Sequence, residues 1–233
     1  MRYLGGKSRT YKEICVFLES VRQPNQPFVE PFCGGCWVTH GMSGACYASD
    51  ANHALITMWK AACDGYDFPD HIDKQTYDTY KCTQDQTDPL TAFVGFGYSF
   101  GGKWFGGYAD PQDPKQHLGN PRKTLAKKVA NLSGVKFKHQ SYTDIDVSGC
   151  LIYCDPPYAS TTSYSAVGQF NSEQFWQTMR EWCKNNTVVV SEYTAPDDFV
   201  CVWSKQTKTE IRTKDGRADR VEKLFMHESQ VTK

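Results

Sequence analysis

Nowhere in this sequence do 18 apolar residues follow one another, which argues against a membrane-spanning helix. An excess of charge of one sign is missing too. Lys and Arg number 26 and Asp and Glu 26, so the global balance selects no partner. The segment Met1 to Arg9 is polar and lacks the apolar run of a secretory signal, and the expectation is a cytoplasmic protein without a membrane partner. Internal repeats and low-complexity tracts are absent. Cys33 and Cys36 form the one C-x-x-C pair, with no second pair at zinc-ribbon distance. No metal is therefore expected, and most of the 10 cysteines read as reduced, buried small apolar residues. Nothing in the composition calls for an obligate protein partner.

What is there suits a globular chain. Its 233 residues, 39% hydrophobic and 22% charged, exclude disorder and coiled coil. A chain of this length buries about 70% of the surface its unfolded form exposes and needs no disulfide to fold. The charge is unevenly placed. Asp50 to Asp88 carries a net −5, and Lys103 to Lys138 a net +6. The basic block also holds Trp104, Phe105, Tyr108 and His117. Basic groups interleaved with aromatics suit a polyanion that also stacks, a nucleic acid, although a solvated loop reads the same way.

Helical and strand periods alternate along the chain. Tyr11, Ile14, Cys15 and Leu18 mark a helix that Ser8 or Thr10 would cap. Phe28 to Glu30 is a short strand entering the turn Pro31-Phe32-Cys33-Gly34-Gly35, and Cys46 to Ser49 is a second strand ending at Asp50. Asn52 to Cys63 reads as a helix with Leu55, Ile56 and Trp59 on one face. Residues 64–136 lose this rhythm, and Phe93 to Gly107 holds too many glycines for a helix or a central strand. Strands resume at Val135 to Phe137 and Cys150 to Cys154. Asn171 with Gln174 resembles a capping box opening a helix with Phe175, Trp176, Met179, Trp182 and Cys183 inward. Thr187 to Ser191, Val200 to Trp203 and Val221 to Met226 are the late strands. The alternation predicts an α/β domain with a parallel sheet and an irregular insertion.

Ligands in such sheets bind beyond the carboxyl ends of strands. Three strand ends carry chemistry. Phe32-Cys33-Gly34-Gly35 lets backbone approach a ligand closely, although an ordinary strand-to-helix turn looks alike. Asp50 stands where an acid commonly holds ribose hydroxyls, or where one caps a helix. Asp155-Pro156-Pro157-Tyr158 is more specific. Two prolines stiffen the turn and remove two backbone donors, leaving a carboxylate and a carbonyl as paired acceptors for an NH2 group. The Tyr158 ring can stack on the planar base that carries the amine.

These motifs resemble those of the Dam-type (D12 class) DNA adenine N6-methyltransferases. Tyr3-Leu4-Gly5-Gly6-Lys7 is similar to the family's N-terminal segment, and Phe28 to Gly35 to its cofactor turn. Asp50-Ala51-Asn52, Ser141-Tyr142-Thr143-Asp144 and Arg220-Val221-Glu222-Lys223-Leu224 resemble three further elements in the same order. The resemblance implies a Rossmann-like methyltransferase sheet using S-adenosyl-L-methionine, with residues 1–63 and 135–233 catalytic and 64–134 an inserted target-recognition region. It implies cofactor contacts from Tyr3, Lys7, Phe32, Gly34, Asp50, Tyr142 and Asp155. Asp155, Pro156 and Tyr158 would act on a flipped adenine in double-stranded DNA, and Lys103, Arg122, Lys123 and Lys127 would hold that DNA. Phages and mobile elements carry solitary enzymes of this kind. The chain departs from the F-x-G-x-G pattern at Cys36, which keeps a non-catalytic DNA-binding relative open. Cytosine N4 and RNA adenine remain open as targets, because the turn recognises an amine on a base.

Overall fold

The apolar runs become the parallel centre of a seven-stranded sheet. The structure is a computed structural model describing residues 3–113, 119–157, 170–213 and 216–231. Strands β1 (Phe28–Glu30), β2 (Cys46–Asp50), β3 (Lys136–His139), β4 (Leu151–Cys154) and β5 (Thr187–Ser191) run parallel. An antiparallel hairpin of β6 (Phe199–Thr213) and β7 (Gly216–His227) inserts β7 beside β5. The resulting order is β3-β2-β1-β4-β5-β7-β6. Every residue of β1 and β4 is buried, as a strand covered on both faces requires. This is a Rossmann-like α/β sheet, as expected.

Successive side chains point to opposite faces. Val29, Ile152, Val188 and Val190 meet Phe175, Trp176 and Met179 of helix α6 (Ser172–Trp182). Phe28, Leu151, Tyr153 and Val189 face the other way, onto Ile14 and Leu18 of α1 (Tyr11–Val21). A further core joins α2 (His53–Cys63), α4 (Pro89–Gly97) and α5 (Pro121–Val129) to Cys33, Cys36 and Ala48. It includes Trp59, Phe93, Phe96, Phe105 and Leu125, so residues 64–134 share their core with the sheet. None of the helices among the described residues is long and apolar enough to cross a membrane.

Asn171 caps α6 through Gln174 N–H at 3.0 Å, as the spacing predicts, whereas α2 is capped through Leu55 N–H by Asn52 and not by Asp50. Thr10 stands at the start of α1 without a side-chain cap bond. The Lys7 carbonyl instead accepts from the N–H groups of Thr10 and Tyr11, at 3.0 and 2.8 Å.

Two expectations are corrected. Residues 64–136 are not irregular throughout, since α3 (Lys74–Thr83), α4 and α5 lie within them. Phe93 to Gly97, read as too glycine-rich for a helix, completes α4. Asp88 caps that helix and Pro89 takes its first turn. A Cβ on Gly95 would come within 2.9 Å of Phe105 and 3.0 Å of Trp104, so packing on those rings requires the glycine. Tertiary burial outweighs the roughly 1 kcal/mol that glycine costs in a helix.

The late strands are also longer than the apolar pattern suggests. Ser191, the last residue of β5, pairs with Leu224, yet the β6–β7 pairing continues to Thr213 and Gly216. The ribbon therefore overhangs the carboxyl edge of the parallel strands. The strand order reverses between β1 and β4, which opens a crevice at that same edge.

Candidate active site

The end of β1 turns sharply through Phe32 to Cys36. Gly34 has a φ of +43°, and a Cβ there would lie 2.7 Å from the Tyr3 ring. Its N–H donates to Asp50 Oδ2 at 3.0 Å, and its carbonyl accepts from Trp59 Nε1 at 3.0 Å. Cys36 N–H donates to the Cys33 carbonyl, and His40 N–H donates to that of Cys36. Cys36 itself adopts a φ of +50°. The turn thus keeps a glycine-like conformation despite the side chain, at a cost of about 1–2 kcal/mol. Tyr3 lies over the turn and packs on Phe96 at 4.8 Å.

Asp50 ends β2 almost fully buried. Its second oxygen accepts from Asn52 N–H at 2.9 Å. Burial pushes its carboxyl up, and the hydrogen bonds from Asn52 and Gly34 oppose that. Across the crevice Phe32 and Tyr142 lie 5.2 Å apart, in a cluster completed by Phe170 and Phe175.

Asp155 follows β4 directly. Lys7 Nζ lies 2.7 Å from its Oδ1 and 3.1 Å from Glu222 Oε1. Ser191 Oγ is 2.6 Å from that same Glu222 oxygen. The lysine is 7% exposed and the two carboxylates 18% and 14%, so this pair of bridges is largely shielded from water. Lys7, expected on the cofactor, is placed by the structure on the Asp155 carboxylate. Pro156 is buried beside it, and Tyr158 lies outside the described residues.

Two ionisable groups lie behind the turn. Glu30 accepts from Thr39 N–H at 2.8 Å and from the Thr39 hydroxyl. Burial pushes its carboxyl up to about 8. Lys128 of α5 is buried, donates to the Gly35 carbonyl, and sits 3.6 Å from the centre of the Trp37 ring. Burial pushes its ammonium down to about 7. The folded state favours protonated Glu30, so the stability it contributes is complete below its ordinary value of 4.5 and is lost as pH rises through about 8. Urea midpoints should accordingly fall between pH 5 and pH 7, below the range where the lowered Lys128 acts in the opposite direction, and Glu30→Gln should flatten that slope. An unchanged slope in the variant would assign it to other groups.

Lys103, Lys123 and Lys127 are exposed. Arg122 is half-buried and bridges Asp67 at 2.6 Å and Asp70 at 2.9 Å. Part of the basic block is therefore compensated by the acidic one. The sequence alone points to neither Lys128 nor Phe170, and to Glu222 only through the family pattern. The apolar turn spacing Pro121, Leu125, Lys128 on α5 is the one signal that places Lys128 inward.

The fold has counterparts among solved structures. An rRNA methyltransferase from Streptomyces viridochromogenes is 9% identical, with 98% of this chain and 87% of that one covered at a TM-score of 0.46. Magnesium protoporphyrin IX methyltransferase from Synechocystis PCC 6803 is 10% identical, with 94% and 79% covered at a TM-score of 0.40. A search of curated proteins found no match. The family model of the D12 class N6 adenine-specific DNA methyltransferases matches residues 3–88 and 99–199, which is most of the chain. The chain belongs to that family, and is an adenine-specific DNA methyltransferase whose cofactor is S-adenosyl-L-methionine.

Proposed function

We propose that the chain methylates, at specific sites, the N6 amine of an adenine swung out of duplex DNA, and that Asp155 and the Pro156 carbonyl hold that amine. The observation that carries this reading is the place of the Asp155-Pro156-Pro157 turn. It stands at the sheet's switch point, beside the glycine turn, with its carboxylate oriented by Lys7 at 2.7 Å.

The residues present fit S-adenosyl-L-methionine, which supplies an electrophilic sulfonium methyl when bound. Gly34 keeps the turn free of a side chain that would strike Tyr3. Each Asp50 oxygen takes one backbone N–H and has a second lone-pair direction for a ribose hydroxyl. Phe32 and Tyr142 offer aromatic faces to a planar ring. Tyr3 closes the pocket over Gly34.

Adenine's amine is a weak nucleophile because its lone pair is delocalised into the ring. Hydrogen bonds from its two N–H groups to Asp155 and the Pro156 carbonyl favour a pyramidal nitrogen with the lone pair directed outward. The carboxylate then stabilises the positive charge that develops on nitrogen as the N–C bond forms. One amine proton leaves to water afterwards, so Asp155 need not be a strong base. Lys7 holds the carboxylate in place and keeps it anionic.

Flipping the base costs a few kcal/mol, and the methyl donor cannot reach it otherwise. Stacking on an aromatic is worth roughly 1–3 kcal/mol, a role for Tyr158. Phosphate contacts from residues 64–134 supply the remainder, with Lys103, Lys123 and Lys127 exposed for them and Arg122 shared with Asp67 and Asp70. Lys123→Ala should weaken DNA binding equally across sequences and lower the salt slope by about 0.9 for each phosphate it leaves unneutralised. Fluorescence anisotropy at several salt concentrations measures both.

Nucleoside mass spectrometry on duplex DNA treated with the protein and methyl-labelled S-adenosyl-L-methionine tests the whole reading. Labelled N6-methyladenine is expected. Label on cytosine N4, label appearing only when RNA is supplied, or no label at all would overturn it.

A further inference from the structure

We propose that Lys128 is a positioning residue for cofactor binding: from α5 it clamps the Gly35 carbonyl and so holds the glycine turn, Cys36 included, in its binding shape. This rests on the reading that the turn meets the cofactor. The burial of Lys128 is particular to it, since Lys123 and Lys127 on the same helix are exposed. Among the described residues no carboxylate lies within ion-pair distance of it, and Glu30 attracts it only from farther off. Its ammonium reaches one backbone oxygen and the faces of Trp37, at 3.6 Å, and Trp59, at 5.6 Å. An apolar side chain would fill this space without desolvating a charge, so packing alone does not explain a lysine.

The turn shows what the lysine does. Four consecutive residues are each tied by their own backbone groups. Cys33 N–H donates to the Ser49 carbonyl at 2.9 Å, and Gly34 is held on both sides by Asp50 and Trp59. Cys36 is held by the Cys33 carbonyl and by His40 N–H. The Gly35 carbonyl is held by Lys128. That carbonyl belongs to the peptide entering Cys36, whose left-handed backbone is the strained point of the turn. A glycine at this place would take the same backbone at no steric cost and would need no such restraint. The clamp and the cysteine are thus two halves of one arrangement. Trp37 completes it, because its ring lies beneath the ammonium and within 3.4 Å of where a Gly35 Cβ would sit.

The test is calorimetric titration of S-adenosyl-L-methionine into the protein without DNA, paired with steady-state kinetics. Lys128→Met fills the space and removes the donor. It should weaken cofactor binding about 10-fold and raise the cofactor KM to match. The kcat at saturating cofactor and the KM for DNA should stay within about twofold. Adding Cys36→Gly to that variant should restore most of the affinity, a rescue that a merely structural lysine would not show. Trp37→Leu, which leaves the lysine in place, should weaken binding by a smaller factor and serves if Lys128→Met does not fold. Unchanged affinity in the Lys128 and Trp37 variants overturns the clamp. Unchanged affinity in Gly34→Val overturns instead the reading that the turn binds the cofactor.

Discussion

Asp155→Ala abolishes methyl transfer in single-turnover assays while S-adenosyl-L-methionine still binds; that is the largest effect expected of any single substitution. The carboxylate is the charged acceptor at the end of β4, and in the proposed reaction it acts where positive charge develops on the amine. Removing a group preorganised for developing charge typically costs about 10²–10³ in rate. Here the same group also orients the nucleophile, so the loss should reach roughly 10³-fold or more. Asp155→Asn separates the two contributions. It keeps the shape and one neutral acceptor, and it should retain more activity than Ala but stay well below wild type. Folding should survive both changes, because Lys7 keeps its bridge to Glu222 at 3.1 Å. Near-normal turnover in Asp155→Ala would mean that the amine is held elsewhere.

Lys7→Met is the second. It leaves two carboxylates, Asp155 and Glu222, around a site from which their shared cation has gone. Breaking a buried pair by removing one partner typically costs about 3–5 kcal/mol, since the other charge stays behind. Here two carboxylates lose the lysine they share. The variant relieves that repulsion by taking up a proton between the pair, so a larger share of Asp155 is neutral at moderate pH. The kcat should fall about 10²-fold near neutrality, and the acid limb of the pH–rate profile should move to higher pH. Part of the lost rate should return at higher pH. Thermal melting should fall as well. A rate loss with no movement of the acid limb would mean that Lys7 contributes through the fold alone.

The parts of this site that the sequence makes legible are those written in consecutive residues. Leu151 to Pro157 states an apolar strand followed by a stiff acceptor turn, and the structure places both where the sheet reverses. Asn171 announces its helix because a cap is a contact three residues long. Helix α4 is hidden because Gly95 argues against a helix locally, and its reason, the rings of Trp104 and Phe105, lies in a later turn. Asp88-Pro89 is the available signal. The outer part of the β6–β7 ribbon lacks apolar alternation, and only the Asp215-Gly216 dipeptide marks a hairpin there. Lys128 looks like one more member of a basic run, and the Gly35 carbonyl it binds lies 93 residues earlier. Glu222 reaches Lys7 only because the sheet inserts β7 beside β5, a fact of topology rather than of spacing.

The distribution of thiols gives the protein a built-in pair of attachment points for reporters. Burial pushes the thiols of Cys15 and Cys183 up to about 12 and that of Cys63 to about 11, and it raises Cys33, Cys36, Cys46, Cys150 and Cys154 as well. A maleimide dye reacts with thiolate, so these eight are poor targets at neutral pH. Cys82 on α3 and Cys201 on β6 are the two exposed cysteines, one in the segment proposed to recognise DNA and one on the sheet. A donor and an acceptor fluorophore on these native positions would form a ruler between the two. Movement of that segment as DNA arrives could then be followed by energy transfer in the unmutated chain.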